Sequence, residues 1–250
     1  MGYKFTSPNT GGINMASPIK ELGIRAHDII QIPEENLETV VKQIKGDILT
    51  LVHDAGSGHC GGTLSWVRPA LAYYRTVSVP KINQETSNDS DDNQLALQYP
   101  RLEPHFSGGH LAPLQYALGR RFGNITAEEM SMFRVMGGLS GHSETRVQLV
   151  PSGLLGQGAG VINGIARAAS MDKDSFKIYG FFGDGEIDEG YFLEALENAV
   201  TSGLNVCYVI NNNKKNLTGK LVHNFENKIT AIDGLLEGNV QRCKSHLHLN

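Results

Sequence analysis

The apolar positions along the chain follow two different repeats, one typical of helices and one typical of strands. Leucine, valine and isoleucine recur every three or four positions in residues 33–55, which predicts an amphipathic helix that ends at Gly56. Two short and almost wholly apolar runs, residues 177–182 and 204–210, predict buried strands, and residues 191–202 between them predict a helix. A strand, a helix and a second strand in this order predict a parallel βαβ unit with a right-handed crossover.

Other segments with a helical repeat alternate with polar loops. The repeat predicts helices over residues 63–76, 110–122 and 156–171, and the sequence Thr-Ala-Glu-Glu that begins at Thr126 is a capping box, which starts another short helix. Residues 137–153 have no repeat and are expected to form a loop. Because helices alternate with buried strands, we expect the α/β class, with a mostly parallel sheet and helices on both of its faces.

The domain organisation is predicted to be simple. Residues 1–32 have few periodic apolar positions and are expected to form an irregular leader, whereas residues 33–250 are long enough for one domain. Within that domain the polar, turn-rich residues 79–100 are expected to form a mobile surface loop.

Composition excludes several classes of protein. Lysine and arginine total 22 and aspartate and glutamate total 26, a net charge of −4, so nothing favours a nucleic-acid partner. No apolar run approaches the ~20 residues that cross a bilayer, so no membrane segment is expected. The 3 cysteines are far apart, which is typical of a reducing compartment, and we expect a cytoplasmic protein. Glycine is clustered in residues 56–62 and 153–160, which indicates tight turns or close approach of a ligand to the backbone.

Polar residues follow both predicted strands of the βαβ unit. Asp184 comes directly after the first strand, and the three asparagines of residues 211–213 come directly after the second. Each turn by itself is most simply a polar turn, but the crossover brings both to the carboxyl edge of the sheet, where α/β proteins bind ligands. A carboxylate and a carboxamide oxygen together suit Mg²⁺ and a phosphate-bearing ligand. Gly183 and Gly185, on either side of Asp184, would let a bulky anion approach the backbone.

Five segments resemble the sequence motifs of one enzyme family. The Gly-Asp-Gly of residues 183–185, separated from the asparagines by residues 186–210, resembles the thiamin-diphosphate motif of the transketolase-like superfamily. Four further segments resemble transketolase motifs in the same order: SGHCGG (57–62), FSGGH (106–110), GHSE (141–144) and SGLLGQG (152–158). The resemblance covers about residues 40–220. It implies the thiamin-diphosphate-binding fold, with this chain as the diphosphate domain.

The resemblance also implies which residues bind the cofactor and its metal ion. The side chains of Asp184 and Asn213 and the main-chain carbonyl of Lys215 would bind Mg²⁺, and Asn213 is the asparagine that best fits the family's spacing. The residues implied to bind thiamin diphosphate are Gly153, Leu155, Gly183, Gly185, Glu186 and His110. The first two would contact the aminopyrimidine through their backbone, and the others would lie at the diphosphate.

Three histidines, each beside a glycine in a matched motif, have an implied catalytic role. His59, His110 and His142 would line the channel above the thiazolium carbon. Imidazoles titrate near neutral pH, so they can move protons to and from sugar hydroxyls or hold an oxyanion. Glu189 and Glu194 match an acidic pair that links the two active sites across the transketolase dimer, although both also suit a solvated helix surface.

The implied activity is the transfer of a two-carbon ketol unit from a ketose to an aldose, with thiamin diphosphate and Mg²⁺ as cofactors. In transketolases the glutamate that activates the cofactor lies in a pyrimidine-binding domain that follows the present one, whereas this sequence ends at Asn250. We therefore expect a transketolase-like transferase subunit that is active only with a pyrimidine-domain partner, as in a split transketolase. The expected assembly is a dimer or a heterotetramer that acts on a small sugar substrate.

Two other functions stay open from the sequence. Gly108 or Gly109 stands where the family has lysine or asparagine, and Cys60 and Ser143 stand where it has proline. These departures, with the short C-terminal end, favour a non-catalytic paralogue or fragment that keeps the fold. After Gly219 the sequence resembles the first component of a single-chain pyruvate dehydrogenase, which favours a 2-oxo acid as the substrate instead.

Overall fold

The computed structural model describes most of the chain between the first helix and the end of the predicted βαβ unit. The described residues are 36–76, 104–121, 124–144, 147–148, 150–173, 177–212, 215–216 and 219–220. The expected leader (1–32), the expected mobile loop (79–100) and Asn213 lie outside them. The division of the chain into these parts stays a prediction.

Seven helices and five strands form the described part of the chain. The helices are α1 (Leu37–Asp54), α2 (Cys60–Ser65), α3 (Val67–Thr76), α4 (Ala112–Arg121), α5 (Ala127–Ser131), α6 (Gln157–Met171) and α7 (Gly190–Thr201). The strands are β1 (His105–Phe106), β2 (Ile178–Gly183), β3 (Val206–Asn211), β4 (Lys215–Asn216) and β5 (Gly219–Lys220). Single 3₁₀ turns, Gly109–Leu111 and Glu186–Asp188, lead into α4 and α7. Across the described residues, each helix is too short or too polar to span a bilayer.

The predicted βαβ unit is confirmed, and among the described residues its sheet contains one further strand. β1, β2 and β3 lie in that order and are parallel, with Phe106 beside Phe181 and Phe181 beside Val209. α7 connects β2 to β3. The pattern of apolar residues does not predict β1, because a strand of two residues is too short to show a repeat. β4 and β5 pair antiparallel as a separate small sheet.

Helices cover both faces of the parallel sheet, as predicted. Tyr179, Phe181 and Val209 pack on one face with apolar side chains from α1, α3 and α4. Phe182 and Tyr208 pack on the other face, against α6 and α7. Successive side chains of a strand point to opposite faces, so this arrangement buries both sides of the sheet. The polar groups that could bind a ligand are therefore expected at the edge where the strands end.

One predicted helix is wrong in its bounds. Residues 63–76 form two helices, α2 and α3, with the break at Trp66, and α2 begins earlier than expected. Pro69 explains the break, because in a continuous helix its ring would clash with the carbonyl of Ser65 and it has no N–H to donate. The break lets the indole of Trp66 pack edge-on against Phe181, with ring centroids 5.1 Å apart.

The predicted end of α1 and the predicted capping box at the start of α5 are both confirmed. α1 stops before Gly56, whose φ of +59° lies in the left-handed region that favours glycine. At the start of α5 the hydroxyl of Thr126 accepts a hydrogen bond from the N–H of Glu129 at 3.2 Å, and the Glu129 carboxylate accepts one from the N–H of Thr126 at 2.8 Å. The described residues of the predicted loop 137–153 contain neither helix nor strand.

Candidate functional site

Asp184 lies at the tip of β2, next to the tip of β3, as the βαβ unit predicts. Gly183 pairs with Asn211 across the two strands, and the N–H of Asp184 donates to the carbonyl of Asn211 at 3.2 Å. Only 3% of Asp184 is exposed, so its carboxyl group is buried at the carboxyl edge of the sheet. Lys215 begins β4 a few residues after β3. Whether Asn213 joins Asp184 as a metal ligand stays a prediction, because Asn213 is outside the described residues.

Asn211, the first of the three asparagines, is bound to another part of the protein. Its side-chain N–H donates to the hydroxyl of Ser65 at 2.7 Å, and that hydroxyl donates to the carbonyl of Gly62 at 2.6 Å. This pair of hydrogen bonds joins the tip of β3 to α2, which carries part of the SGHCGG motif. The bond engages the amide nitrogen of Asn211 and not its oxygen, so the choice of asparagine as the metal ligand stays a prediction.

Glycines leave open space near Asp184 and in the turn before α6. A Cβ atom added at Gly185 or at Gly153 would have no atom within 4 Å. At Gly183 it would meet only the Oε2 atom of Glu186, at 3.7 Å. Bare backbone beside a buried carboxylate allows an anionic group and a cation to approach together. These residues therefore fit a diphosphate with a divalent ion.

Glu186 lies deeper than the other predicted cofactor residues. It is 1% exposed, and its carboxylate accepts hydrogen bonds from the hydroxyl of Ser107 at 2.5 Å and from the N–H groups of Gly156 at 3.0 Å and Gly183 at 2.7 Å. Burial raises the pKa of the Glu186 carboxyl, and these three hydrogen bonds oppose that change. Both carboxylate oxygens thus face donors of the protein itself, and a contact with the cofactor stays a prediction.

The three predicted histidines come together. The rings of His59 and His110 meet edge to face, with centroids 5.5 Å apart. Two glycines lie beneath the imidazoles, because a Cβ atom at Gly108 would be 2.5 Å from Cε1 of His110, and one at Gly109 would be 2.7 Å from Cδ2 of His142. Burial lowers the pKa of His110 to about 4, and charge on the other two histidines contributes to this lowering. The cluster exists as the motifs suggested, and its catalytic role stays a prediction.

Core hydroxyl groups hold the backbone of these histidines. Thr63 is fully buried in α2, and its hydroxyl donates a hydrogen bond to the carbonyl of His59. The same hydroxyl lies 3.4 Å from the carbonyl oxygen of His110. The hydroxyl of Tyr116, also fully buried, donates to the carbonyl of His142 at 2.8 Å. Both side chains lie at helical positions that are typical of ordinary core, so the sequence alone did not indicate this supporting role.

A buried network around Gln148 was also missed. The amide oxygen of Gln148 accepts hydrogen bonds from the N–H of Phe106 at 2.9 Å and from the side chain of Gln115 at 2.6 Å. Its amide nitrogen donates to the carbonyl of Val150 at 2.7 Å and to the hydroxyl of Ser152 at 2.8 Å. The network fixes the start of the SGLLGQG turn against β1. A glutamine in a polar loop gives no sequence signal that separates this role from an exposed one.

The predicted acidic pair lies around the start of α7. Glu189 occupies the N-cap position of α7 without a capping hydrogen bond from its side chain and is half-buried, whereas Glu194 is exposed. Glu194 lines a groove of about 510 Å³ between α6 and α7, together with Arg167 and Tyr191. Nothing in this geometry tests a link between two active sites, so that role stays a prediction.

The sequence profile described as "Transketolase, thiamine diphosphate binding domain" matches residues 37–232. The match covers more than half of the chain, and the chain therefore belongs to this family. The resemblance inferred from the five motifs is confirmed, as is the α/β fold with a parallel sheet.

Characterised relatives include transketolases and one protein that is named as a transketolase subunit. The chain is 29% identical over 189 residues to a subunit of the apulose-4-phosphate transketolase of Phocaeicola vulgatus, an alignment that covers 74% of this chain and 63% of that protein. It is 31% identical over 147 residues to the transketolase of Homo sapiens, over 57% of this chain and 22% of that protein. The chain thus spans less than two thirds of the length of either relative.

Solved structures agree on the fold. The chain superposes on transketolase from Campylobacter jejuni with a TM-score of 0.65 at 24% identity, over 80% of this chain and 32% of that one. Transketolase from Leishmania mexicana gives a TM-score of 0.62 at 23% identity, over 80% of this chain and 33% of that one. At these identities the likeness shows the fold, and the chemistry has to be argued from the residues.

Proposed function

We propose that this chain is the diphosphate-binding subunit of a transketolase-like enzyme, which transfers a two-carbon ketol unit between a ketose and an aldose. One observation carries the proposal: all five motif segments meet at the carboxyl edge of one sheet. Hydrogen bonds join β3 to α2 through Asn211 and Ser65, and Glu186 joins the GDG turn to the FSGGH and SGLLGQG segments. A Cβ at Gly109 would touch both the GHSE histidine, His142, and the carbonyl of Ser152.

The residues at this edge have distinct tasks in the proposed reaction. Bound thiamin diphosphate supplies the reactive carbon and the electron sink for making and breaking the carbon–carbon bond. Asp184, with Asn213 and the carbonyl of Lys215, would hold Mg²⁺. The open backbone at Gly185 would admit the diphosphate, and Gly153 and Leu155 would contact the aminopyrimidine through their backbone.

The histidine cluster handles protons on the sugar. His110 is neutral at neutral pH, because burial lowers its pKa to about 4, so it accepts or shares a proton without carrying a permanent charge. His59 and His142 are exposed at the mouth of the same cluster, where a substrate hydroxyl can reach them. Together the three imidazoles offer proton acceptors and donors around one point, as the transfer of a ketol unit requires.

A second chain completes the proposed enzyme. The relative from Phocaeicola vulgatus is itself named as one subunit of its enzyme, and 74% of the present chain aligns with it. We infer a partner that carries the pyrimidine-binding domain, a heterotetramer of two chains of each kind, and a phosphorylated ketose as the donor substrate. We propose a cytoplasmic location for this assembly, which the three widely spaced cysteines of the sequence suit.

Calorimetry tests the cofactor site directly. The full chain, alone and mixed with a pyrimidine-domain chain, is titrated with thiamin diphosphate in Mg²⁺ or in a chelator. We expect binding that requires Mg²⁺ and that weakens at least ~10-fold in Asp184→Asn, since the variant loses the anionic ligand of the ion. Glu197→Gln, which neutralises an exposed carboxylate on α7, is the matched control and is expected to bind normally. Absence of Mg²⁺-dependent binding under both conditions would refute the proposal and favour a non-catalytic paralogue.

The donor substrate is decided by a separate experiment. The reconstituted complex is incubated with a ketose phosphate or with pyruvate, and consumption of each is followed. Consumption of the ketose phosphate in the presence of an aldose acceptor is the expected result. Consumption of pyruvate alone would show the alternative activity, that of a 2-oxo acid dehydrogenase component.

A further inference from the structure

Glu186 stands at a junction of three chain segments that face the proposed cofactor. Its Oε1 atom accepts the hydroxyl proton of Ser107 and the N–H of Gly156, and its Oε2 atom accepts the N–H of Gly183. The hydroxyl oxygen of Ser107 in turn accepts the N–H of Gly158 at 3.2 Å. We call these five residues the Glu186 junction. They join the end of β1, the end of β2 and the first turn of α6.

The junction is closely packed and has no room for an added group. Ser107 is fully buried and Glu186 is 1% exposed. A Cβ atom at Gly158 would lie 2.6 Å from the side chain of Ser107, and one at Gly156 would lie 3.0 Å from Cβ of Glu189. Gly156 also has a φ of +78°, so the chain turns there in a way that favours glycine. Both glycines are thus needed to bring the backbone N–H groups against Glu186 and Ser107.

The junction uses the N–H groups with which α6 begins. Helix N-termini often bind phosphate groups, because their first N–H groups have no partner within the helix. Here the N–H groups of Gly156 and Gly158 donate to Glu186 and Ser107, and those of Gln157 and Ala159 donate to the carbonyls of Leu154 and Gly156. A diphosphate would therefore have to lie on the open side of Gly185, away from the start of α6.

The negative charge of Glu186 also argues against a direct contact with the cofactor. A buried carboxylate is stable only where hydrogen-bond donors replace its hydration, and the junction supplies three. A diphosphate has the same sign of charge and offers no proton, so it could not replace any of these donors. Asp184, two positions earlier, is the carboxylate expected to face the metal ion.

On the basis of the proposed function, we propose that Glu186 is a positioning residue. It holds the GDG turn, the SGLLGQG turn and the FSGGH segment in a fixed arrangement before the cofactor binds, and it makes no contact with the cofactor itself. This differs from the expectation that its side chain lies against the diphosphate. The proposal makes the junction a preorganised support, whose loss would weaken cofactor binding without changing how the metal ion is used.

Hydrogen exchange and calorimetry on the full chain test this role together. In Glu186→Gln the amide nitrogen cannot accept, so at least one backbone N–H loses its partner. We expect amide exchange in peptides covering residues 153–160 and 181–186 to speed up by at least ~10-fold, with α1 unchanged. We also expect thiamin diphosphate to bind at least ~10-fold more weakly, with the same dependence on Mg²⁺ concentration. Glu197→Gln, which neutralises an exposed carboxylate on α7, is the matched control and should change neither measurement.

The outcomes separate this proposal from the proposed function. Unchanged exchange in Glu186→Gln would overturn the proposal, and so would an altered Mg²⁺ dependence, which would place Glu186 at the ion. If the wild-type chain binds no thiamin diphosphate either alone or mixed with a pyrimidine-domain chain, the proposed function fails, whereas the exchange comparison still shows whether the junction orders these turns. Should Glu186→Gln not fold, Ser107→Ala replaces it, and faster exchange at residues 156–158 is the supporting result and unchanged exchange the opposing one.

Discussion

Adding a single methyl group at Gly109 should disturb the packing beneath the rings of the histidine cluster. The new Cβ atom would be 2.7 Å from the carbonyl oxygen of Ser152 and 2.7 Å from Cδ2 of His142. Because ordinary contacts begin near 3.4 Å, one side of each pair would have to move by about 0.7 Å within a closely packed region. The Ser152 carbonyl belongs to the backbone of a turn held by the Gln148 network, so it cannot move alone.

The size of the effect follows from this rigid neighbour. Added methyl groups in well-packed regions cost about 1–3 kcal/mol, and we expect Gly109→Ala to lie within that range. Gly61→Ala is the matched control, since Gly61 is exposed in α2 and a Cβ atom there would have nothing within 4 Å. In a helix the change from glycine to alanine stabilises by up to about 1 kcal/mol, so the control should be neutral or slightly more stable.

The measurement is urea unfolding followed by tryptophan fluorescence. Trp66 is the only tryptophan and is 3% exposed in the core, so its emission reports the loss of the packed fold. We expect a lower midpoint for Gly109→Ala at an unchanged slope, which marks a change in stability alone. A midpoint equal to that of Gly61→Ala would refute the packing of the FSGGH segment described above.

Gly108→Ala tests the packing of the preceding glycine, which lies beneath the ring of His110. Its Cβ atom would clash with the ring of His110, 2.5 Å away, and an imidazole can rotate where a backbone carbonyl cannot. We therefore expect little loss of stability, but a displaced ring and a pKa of His110 that rises from about 4 towards its ordinary value. Carbon-detected NMR titration of the histidine rings measures this, and an unmoved His110 titration would contradict the reasoning.

Three further predictions concern the core and the supports of the site. Tyr208→Phe removes the hydroxyl that donates to Asn163 at 2.6 Å, and should lower the free energy of unfolding by about 1–2 kcal/mol; an unchanged urea midpoint would speak against a buried bond. Burial lowers the pKa of His105 to about 4, so the unfolded chain binds the extra proton between about pH 6.5 and pH 4. Stability should therefore fall as the pH drops through that window, by at most about 3 kcal/mol from this group, and His105→Gln should remove that part of the pH dependence in unfolding experiments. Thr63→Val, which keeps shape and loses the hydroxyl, should shift the NMR titration of His110, whereas Thr63→Ser should not; equal spectra for both variants would show that the hydroxyl plays no part.

Local sequence signals predicted the centre of the fold and one part of the site. The two buried strands, the helix between them and the place of Asp184 follow from apolar runs and the rules for parallel crossovers, because each run is long enough to show its period. The break at Trp66 was readable in principle from Pro69, whose effect on the preceding turn is local. The clustering of the three histidines came from the family resemblance, since no spacing in the sequence places His59 beside His110.

The missed features depend on contacts between distant segments. β1 has two residues, and its existence rests on pairing with β2 and not on its own composition. Gln148 and Ser107 lie in polar segments that look like exposed loops, yet both are buried by the chain folding over them. Tertiary burial decides the role of such residues, and a repeat in the sequence cannot carry that information.

Within the described residues β1 is an edge strand of the parallel sheet, and hydrogen bonds around Phe106 occupy the backbone groups of that edge. The N–H of Phe106 donates to Gln148 and its carbonyl accepts from the hydroxyl of Ser152, whereas the next N–H, that of Ser107, donates to Phe181 in β2. The outward backbone groups of this edge strand are therefore already satisfied by side chains. Because these groups already have side-chain partners, this edge of the described sheet has fewer backbone groups available to pair with a strand of another molecule.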